Sequence, residues 1–317
     1  MRGTGRYALG RLGLAVPTLF GLSFLSFLLG SASGDPSSKL ASAGLPPEVF
    51  PTLEQIDAVR HRLGFDKPLL VQYGRWLRKA LHGDLGRSLL TGRGVGDAIR
   101  AALPSTVELA LAAVLVIILL SVPLAVIGAR LRGRWAQQVL RAVQLSGASA
   151  PGFFLAYILI FVFAVKLHLF PVVGQSGWKS LVLPAFTLAA LPTALVTRLL
   201  QTSLVDTLRE DYVRTARGKG LTDMRIFAAH ALRNATLPVL TVLGHILGQL
   251  VEGAVVVELI FGRSGIGNLT LQSAGSSDYP MIQGVVLLAG VVVVLFNLAV
   301  DLLYPVVDVR VRLGAKT

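Results

Sequence analysis

The chain has 317 residues, 53% of them hydrophobic and 15% charged, with 30 Lys and Arg against 17 Asp and Glu and no cysteine. Its mean hydropathy of +0.68 is far above what a soluble domain of this size needs, which excludes an ordinary soluble enzyme and directs the reading to a membrane protein. The net charge of +13 would by itself suggest an anionic partner such as nucleic acid, but its distribution along the chain explains it otherwise.

Apolar runs near 9–30, 104–129, 139–167, 181–204, 237–259 and 281–306 are each long enough, as helix, to cross a hydrocarbon core of ~30 Å. Their Leu, Ala, Val and Ile content with interspersed Gly and Pro predicts an all-α membrane protein of six transmembrane helices and not a barrel of short alternating strands. The first run begins after Arg2, Arg6 and Arg11 and ends before Ser31-Ala32-Ser33, as a cleavable signal peptide would. Its apolar stretch from Leu12 to Leu29 exceeds the ~7–15 residues of a signal core, so a retained span is expected.

The loop 31–100 opens with a stretch rich in Pro, Gly and Ser and continues as Thr52-Leu53-Glu54-Gln55. Thr52 and Gln55 have the spacing of a capping box, and Ile56, Val59 and Leu63 share one face of the helix it starts. His61 lies four residues after Asp57, which predicts a solvated ion pair on that helix in preference to a metal ligand. A second helix, Leu70 to Leu81, offers Tyr73, Trp76 and Leu77 for packing against the first or against the membrane surface. Together they predict a small helical cap, ordered without disulfides by its own packing or by docking on the bundle.

Lysine and arginine set the orientation. With both termini cytoplasmic, that side holds Arg2, Arg6, Arg11, Arg130, Arg132, Arg134, Arg141, Arg198, Arg209, Arg214, Arg217, Lys219, Arg225, Arg233, Arg310, Arg312 and Lys316. The short outer loops hold Lys166, Lys179 and Arg263. The 31–100 loop, with ten basic and seven acidic residues, is long enough to translocate largely regardless of charge. The positive charge is therefore a topology signal, and nucleic acid is not an expected partner.

Between Asp211 and Pro238 lies a polar segment on the side of the termini, suited to receiving a force. Residues 206–217 contain no helix breaker, Gly218 and Gly220 end the run, and Thr222 or Asp223 can cap a second helix reaching Asn234. On that helix Met224, Phe227, Ala228 and Ala231 recur at helical spacing while Arg225 and Arg233 point elsewhere, so a helix lying on the lipid interface is the alternative reading.

Polar residues within the spans are the candidates for a pathway, because charge at mid-membrane costs roughly 2.5–3.5 kcal/mol on insertion scales. His245, Gln249 and Glu252 fall on one stripe of the fifth span, and Asn297 and Asp301 lie on the inner half of the sixth. The alternative for all five is hydrogen bonding between helices. Glu108, Arg198 and Glu258 sit near span ends, where snorkelling or surface pairing accounts for them. There is no G-x-x-x-x-G-K-[ST] phosphate loop, and His61, His82, His168, His230 and His245 are too scattered for a common zinc spacing.

The segment Asp211 to Leu221, followed by His230 to Pro238, resembles the cytoplasmic coupling loop of binding-protein-dependent ABC importer permeases of the dipeptide, oligopeptide and nickel branch. Ser33 to Pro36, Leu63-Gly64, Pro68 to Tyr73, Gly83 to Gly86, Leu103 to Ala110, Asp278 to Pro280, and Asp301 to Tyr304 with Asp308 and Arg310 resemble that branch in order and spacing. Departures are Gly94, Ser264 and Val309, where the branch usually has proline. Arg214 stands where the general permease signature has glutamate, with Thr215, Ala216 and Gly220 completing the pattern.

The resemblance implies a single type I ABC importer transmembrane domain over 1–317, with 31–100 as extracytoplasmic cap and 206–236 as cytoplasmic coupling loop. It implies a bacterial cytoplasmic (inner) membrane location and four kinds of neighbour: a second homologous permease, two cytoplasmic ATPase subunits, an extracytoplasmic binding protein and lipid. ATP and Mg would be bound by the partner subunits, leaving this chain without a cofactor or enzymatic role. Contact with the ATPase is implied for Arg214, Thr215, Ala216, Gly220, Leu221, Thr222, Asp223 and Phe227, and the substrate path for His245, Gln249, Glu252, Asn297 and Asp301. Gly174 to Trp178 with Leu183-Pro184, and Gly244 to Gly253, look more like nickel permeases than peptide ones, and His245 could touch a metal or its chelate in transit. The cargo thus stays open between nickel or a metal chelate and di- or oligopeptides. A self-sufficient secondary transporter is the alternative, although the two halves show no inverted repeat and few acidic residues.

Overall fold

A computed structural model describes residues 2–32, 37–42, 50–130, 151–174, 177–227 and 231–307, together with isolated positions between 135 and 144. Its elements in chain order are α1 (Arg2–Ala32), α2 (Ser37–Ser42), α3 (Leu53–Leu63), α4 (Leu69–Leu81), α5 (Val95–Arg130) and α6 (Gly152–Leu159), which continues as a π-helix (Ile160–Lys166). They are followed by α7 (Lys179–Thr207), α8 (Asp211–Gly218), α9 (Asp223–Ile226), α10 (Leu232–Ala235), α11 (Leu237–Ile260), α12 (Ile266–Gly275) and α13 (Tyr279–Val307). Among the described residues there is no strand, only an isolated antiparallel bridge between Arg87 and Gly94. Three helices there are long and apolar enough to cross a membrane, Gly13–Ser31, Val95–Arg130 and Lys179–Thr207, and Gly152–Lys166 and Tyr279–Leu295 are shorter apolar helices.

The chain divides into two compact units. One comprises Met1–Arg11, Ser105–Arg263 and Leu295–Thr317. Its core is built where α5, α6, α7 and α11 face one another, around Leu109, Ala113, Ala156, Ala189, Leu250 and Phe261. Small residues recur at these contacts, and at Gly253 an added Cβ would stand 2.8 Å from Leu188 Cδ1, so α11 and α7 meet at a distance only glycine allows without displacing that leucine. A second cluster, Ala125, Leu200, Leu204, Phe227, Ala231 and Ala235, joins the ends of α5 and α7 to the polar segment.

The other unit comprises Leu12–Pro104 and Ser264–Val294. The cap helices form as their local signals dictate. Thr52 and Gln55 exchange both bonds of the capping box, and α3 ends at Gly64 with φ 78°, a left-handed conformation that costs a Cβ-bearing residue ~1–2 kcal/mol. Two expectations are corrected here. His61 Nδ1 pairs with Asp66 Oδ2 at 2.9 Å across the end of α3, whereas Asp57 pairs with Arg60 at 3.2 Å, because the Gly64 turn brings Asp66 back over the last turn of the helix. Tyr73 and Trp76 pack on α1, not on the other helix of the loop as expected, with the Trp76 ring 5.9 Å from that of Phe27. The Tyr73 ring lies 5.8, 5.1 and 5.5 Å from those of Phe20, Phe24 and Phe27, and its hydroxyl shares a 2.8 Å hydrogen bond with Ser23. Burial and the nearby ring cluster thus fasten α4 to the first apolar helix.

Farther along this unit, α12 ends in a turn with Ser277 at φ 55°, closed by Asp278 N–H donating to Ser273 O at 2.8 Å. The buried Asp278 carboxylate then accepts from Ser88 Oγ and from Leu89 N–H at 3.1 Å, which pins the 88–93 turn against the start of α13. Val95, Ala98, Ile99, Met281 and Val285 form the apolar core beside it.

Candidate functional site

The polar segment is constructed differently from the expected pair of helices. The helix of the fourth apolar run stops at Thr207, and residues 208–210 form a turn before α8 starts at Asp211. Glu210 adopts an extended N-cap conformation there, φ −63° and ψ 147°. This break had no glycine or proline to announce it. The second helix is described as α9 and α10, on either side of residues 228–230, which lie outside the described residues together with His230.

On α8, Val213 is buried while Arg214 and Thr215 are exposed and Ala216 is half-buried. Thr215 Oγ1 donates to Asp211 O at 3.0 Å, and Arg214 Nη1 stands 3.5 Å from Asp211 Oδ1 in a largely exposed pair. Such a pair contributes at most about 1 kcal/mol, so Arg214 keeps its charge directed at solvent or a partner. The helix closes in a Schellman turn: Leu221 N–H reaches Ala216 O at 3.3 Å and Gly220 N–H reaches Arg217 O at 2.9 Å. Gly220 has φ 78°, and among the described residues nothing lies within 4 Å of where its Cβ would be. The glycine answers to backbone conformation, and the space over it is open.

Leu221 is half-buried and Thr222 exposed; Thr222 O receives Ile226 N–H at 3.0 Å, starting α9. The side chain of Asp223 lies outside the described residues. Ile226, Phe227 and Ala231 are buried, and the Arg130 guanidinium sits 4.9 Å above the Phe227 ring. Phe227 and Ala231 of the expected apolar face are therefore spent on the bundle and not on a lipid interface, while the side chains of Met224 and Ala228 lie outside the described residues. Asn234 Nδ2 donates to Tyr212 OH at 2.9 Å, bracing the return arm against α8. Sequence reasoning missed this brace, since no spacing rule links positions 22 apart.

The polar stripe of α11 is split by the fold. Gln249 is half-buried and lines a cavity of about 260 Å³ with Phe153, Thr187, Leu188, Pro192 and Val257. Glu252 is exposed within the second half of this 24-residue apolar helix. Asn297 on α13 is exposed, and the side chains of His245 and Asp301 lie outside the described residues. No group of three His, Cys, Asp or Glu side chains able to hold a metal occurs among the described residues.

Near the end of α11 the structure corrects a further expectation. Glu258 is fully buried, so it neither snorkels nor pairs at a surface, whereas Glu108 and Arg198 are exposed; Arg263 is 1% exposed. Thr106 Oγ1 donates to Glu258 Oε1 at 2.6 Å, and Arg263 Nη2 donates to Ser105 O and to Glu108 Oε2, both at 3.4 Å. The signal available in the sequence was a glutamate inside an apolar run with an arginine five residues on, which periodicity alone does not pair.

Several helices of membrane-spanning length and composition define a multi-pass membrane protein. The sequence profile of the "Binding-protein-dependent transport system inner membrane component" family matches residues 121–313. The chain belongs to that family and is a permease subunit of a binding-protein-dependent ABC importer. Among its relatives is a Brucella abortus (strain 2308) protein provisionally named a peptide transport system permease, 37% identical over 313 residues, covering 96% of this chain and 98% of the relative. A similarly named protein of Brucella suis biovar 1 (strain 1330) is 37% identical over 313 residues with the same coverage. The glutathione transport system permease protein GsiC of Escherichia coli (strain K12) is 36% identical over 307 residues, 96% of this chain and 98% of GsiC.

Proposed function

We propose that this chain is one of two homologous permeases whose facing surfaces form the pathway of a peptide importer, and that Glu252 lies on that surface. The observation that carries this is the exposed Glu252 carboxylate on an apolar helix of membrane-spanning length, beside the Gln249 cavity. A charge facing lipid at that depth costs roughly 2.5–3.5 kcal/mol, so the face requires water or another chain against it. The six apolar runs would be spans of a single transmembrane domain over 1–317, with both termini and residues 206–236 in the cytoplasm and residues 31–100 outside, in the bacterial cytoplasmic membrane.

In this reading two ATPase subunits bind ATP and Mg and engage Arg214, Thr215, Ala216, Gly220, Leu221, Thr222 and Asp223. Phe227 instead anchors the segment in the bundle, passing the displacement to α5 and α7 through their shared cluster. An extracytoplasmic binding protein delivers the cargo, and nucleotide biases the two access states by binding them unequally. The names of the relatives favour peptides, glutathione-like tripeptides included, over the nickel expected from Gly244 to Gly253.

The test is reconstitution with the partner subunits and binding protein in vesicles, measuring ATP-driven uptake of labelled dipeptides, glutathione and Ni²⁺ in competition. Peptide uptake that collapses in Glu252→Leu with assembly intact supports the reading. Uptake of Ni²⁺ alone, or wild-type rates in Glu252→Leu, overturns the cargo or the pathway face respectively.

A further inference from the structure

Buried charged groups are a poor way to hold two helices together, since apolar side chains of the same volume commonly do so at equal or lower free energy. What charged groups add is direction. Glu258 and Arg263 are held in fixed relation by the turn that ends α11: Arg263 N–H donates to Glu258 O at 2.8 Å and Gly262 N–H to Leu259 O at 3.3 Å. Gly262 has φ 61°, and Val173 Cγ1 stands 2.6 Å from where its Cβ would be, so the outer loop is packed on the turn. From this base the two side chains reach Ser105, Thr106 and Glu108, all within one turn of α5, one accepting and the other donating.

We propose that Glu258 and Arg263 are positioning residues that clamp α5 to the end of α11, so that the two helices move as one body when the permease changes access state. Apolar ridges can slide past each other; three directional bonds to a single helical turn cannot. A shift of one turn, about 5.4 Å, would break all of them and strand both charges in the core. The clamp thus forbids shear between α5 and α11 and leaves rotation as a unit. Glu108, the ion-pair partner of Arg263, has a side chain 58% exposed.

This inference rests on the importer reading, which ATP-driven uptake by the wild-type complex tests first; absence of that uptake overturns the reading and not the geometry of the clamp. The deciding variant is Glu258→Met with Arg263→Met, which removes both charges together and leaves none stranded. In the reconstituted complex we expect normal assembly, a thermal midpoint near wild-type and ATPase activity retained, with cargo moved per ATP hydrolysed down about tenfold. Arg263→Lys, keeping charge but losing the forked donor, should lie between. Wild-type cargo per ATP in the double variant overturns the proposal, because a merely structural pair would be replaced without loss of coupling. Should that variant fail to assemble, Thr106→Val, lacking the donor to Glu258, is read by the same ratio: a drop supports the clamp and an unchanged ratio overturns it.

Discussion

Two glutamates six residues apart on α11 have opposite surroundings. Glu252 is exposed, and Glu258 is fully buried and accepts a hydrogen bond from the Thr106 hydroxyl. Six residues turn the helix by about 600°, which carries the second side chain well round the axis from the first. The comparison teaches that an acid on an apolar helix has two admissible fates. It can be satisfied within its own chain, in which case it holds structure, or it can be left for water or a second chain, in which case it marks a working face.

Removing the buried acid should give the largest change. Glu258→Ala removes the carboxylate that accepts from the Thr106 hydroxyl and leaves a void in the core, and should destabilise by about 2–3 kcal/mol, read as a fall in thermal midpoint and yield of the purified complex. The same substitution at Glu252 should stay within about 0.5 kcal/mol; equal losses at the two positions would erase the distinction between them. For the exposed acid the effect should appear in transport: Glu252→Leu should slow uptake per complex by about tenfold, about 1.4 kcal/mol in the barrier, with stability kept.

A smaller expected effect concerns Gly220, also open to its surroundings. Gly220→Val costs ~1–2 kcal/mol in the left-handed turn, and cargo moved per ATP should fall even in complexes that assemble. Uptake at the wild-type ratio would remove residues 211–223 from the coupling role. The smallest effect is at Asp66, an acid that has both water and a partner. Desolvation pushes its pKa up, but the His61 hydrogen bond, its own backbone and the positive charges of His61 and Lys67 outweigh this and hold it below 3.8. Because the folded value is depressed, the contribution to α3 is present above pH 3.8 and is lost as pH falls through the folded pKa. Amide protection in α3, corrected for the intrinsic pH dependence of exchange, should fall more in wild-type than in Asp66→Asn as pH is lowered through the folded pKa.

The start of α3 and the ends of α3 and α8 were legible because their signals are local. Thr52 and Gln55 are three residues apart, Gly64 and Gly220 sit where helices end, and each adopts the backbone its sequence context demanded. The turn at 208–210 was not legible, since no residue there forbids helix and the break depends on where α7 leaves the bundle. The partner of His61 was misassigned for a related reason: helical spacing favours Asp57, but the chain reversal at Gly64 presents Asp66.

The sequence by itself determined the class of protein, because spans, charge asymmetry and the ordered motifs are properties of residue type and spacing along one dimension. It also determined that Glu252, Glu258 and Arg263 are costly in an apolar setting, since that follows from their chemistry alone. Only the tertiary structure decided which of these charges is buried and tied to α5 and which is left exposed. The rotation of α11 about its axis, and the packing that sets it at Gly253 against Leu188, depend on residues far apart in the chain that periodicity cannot pair.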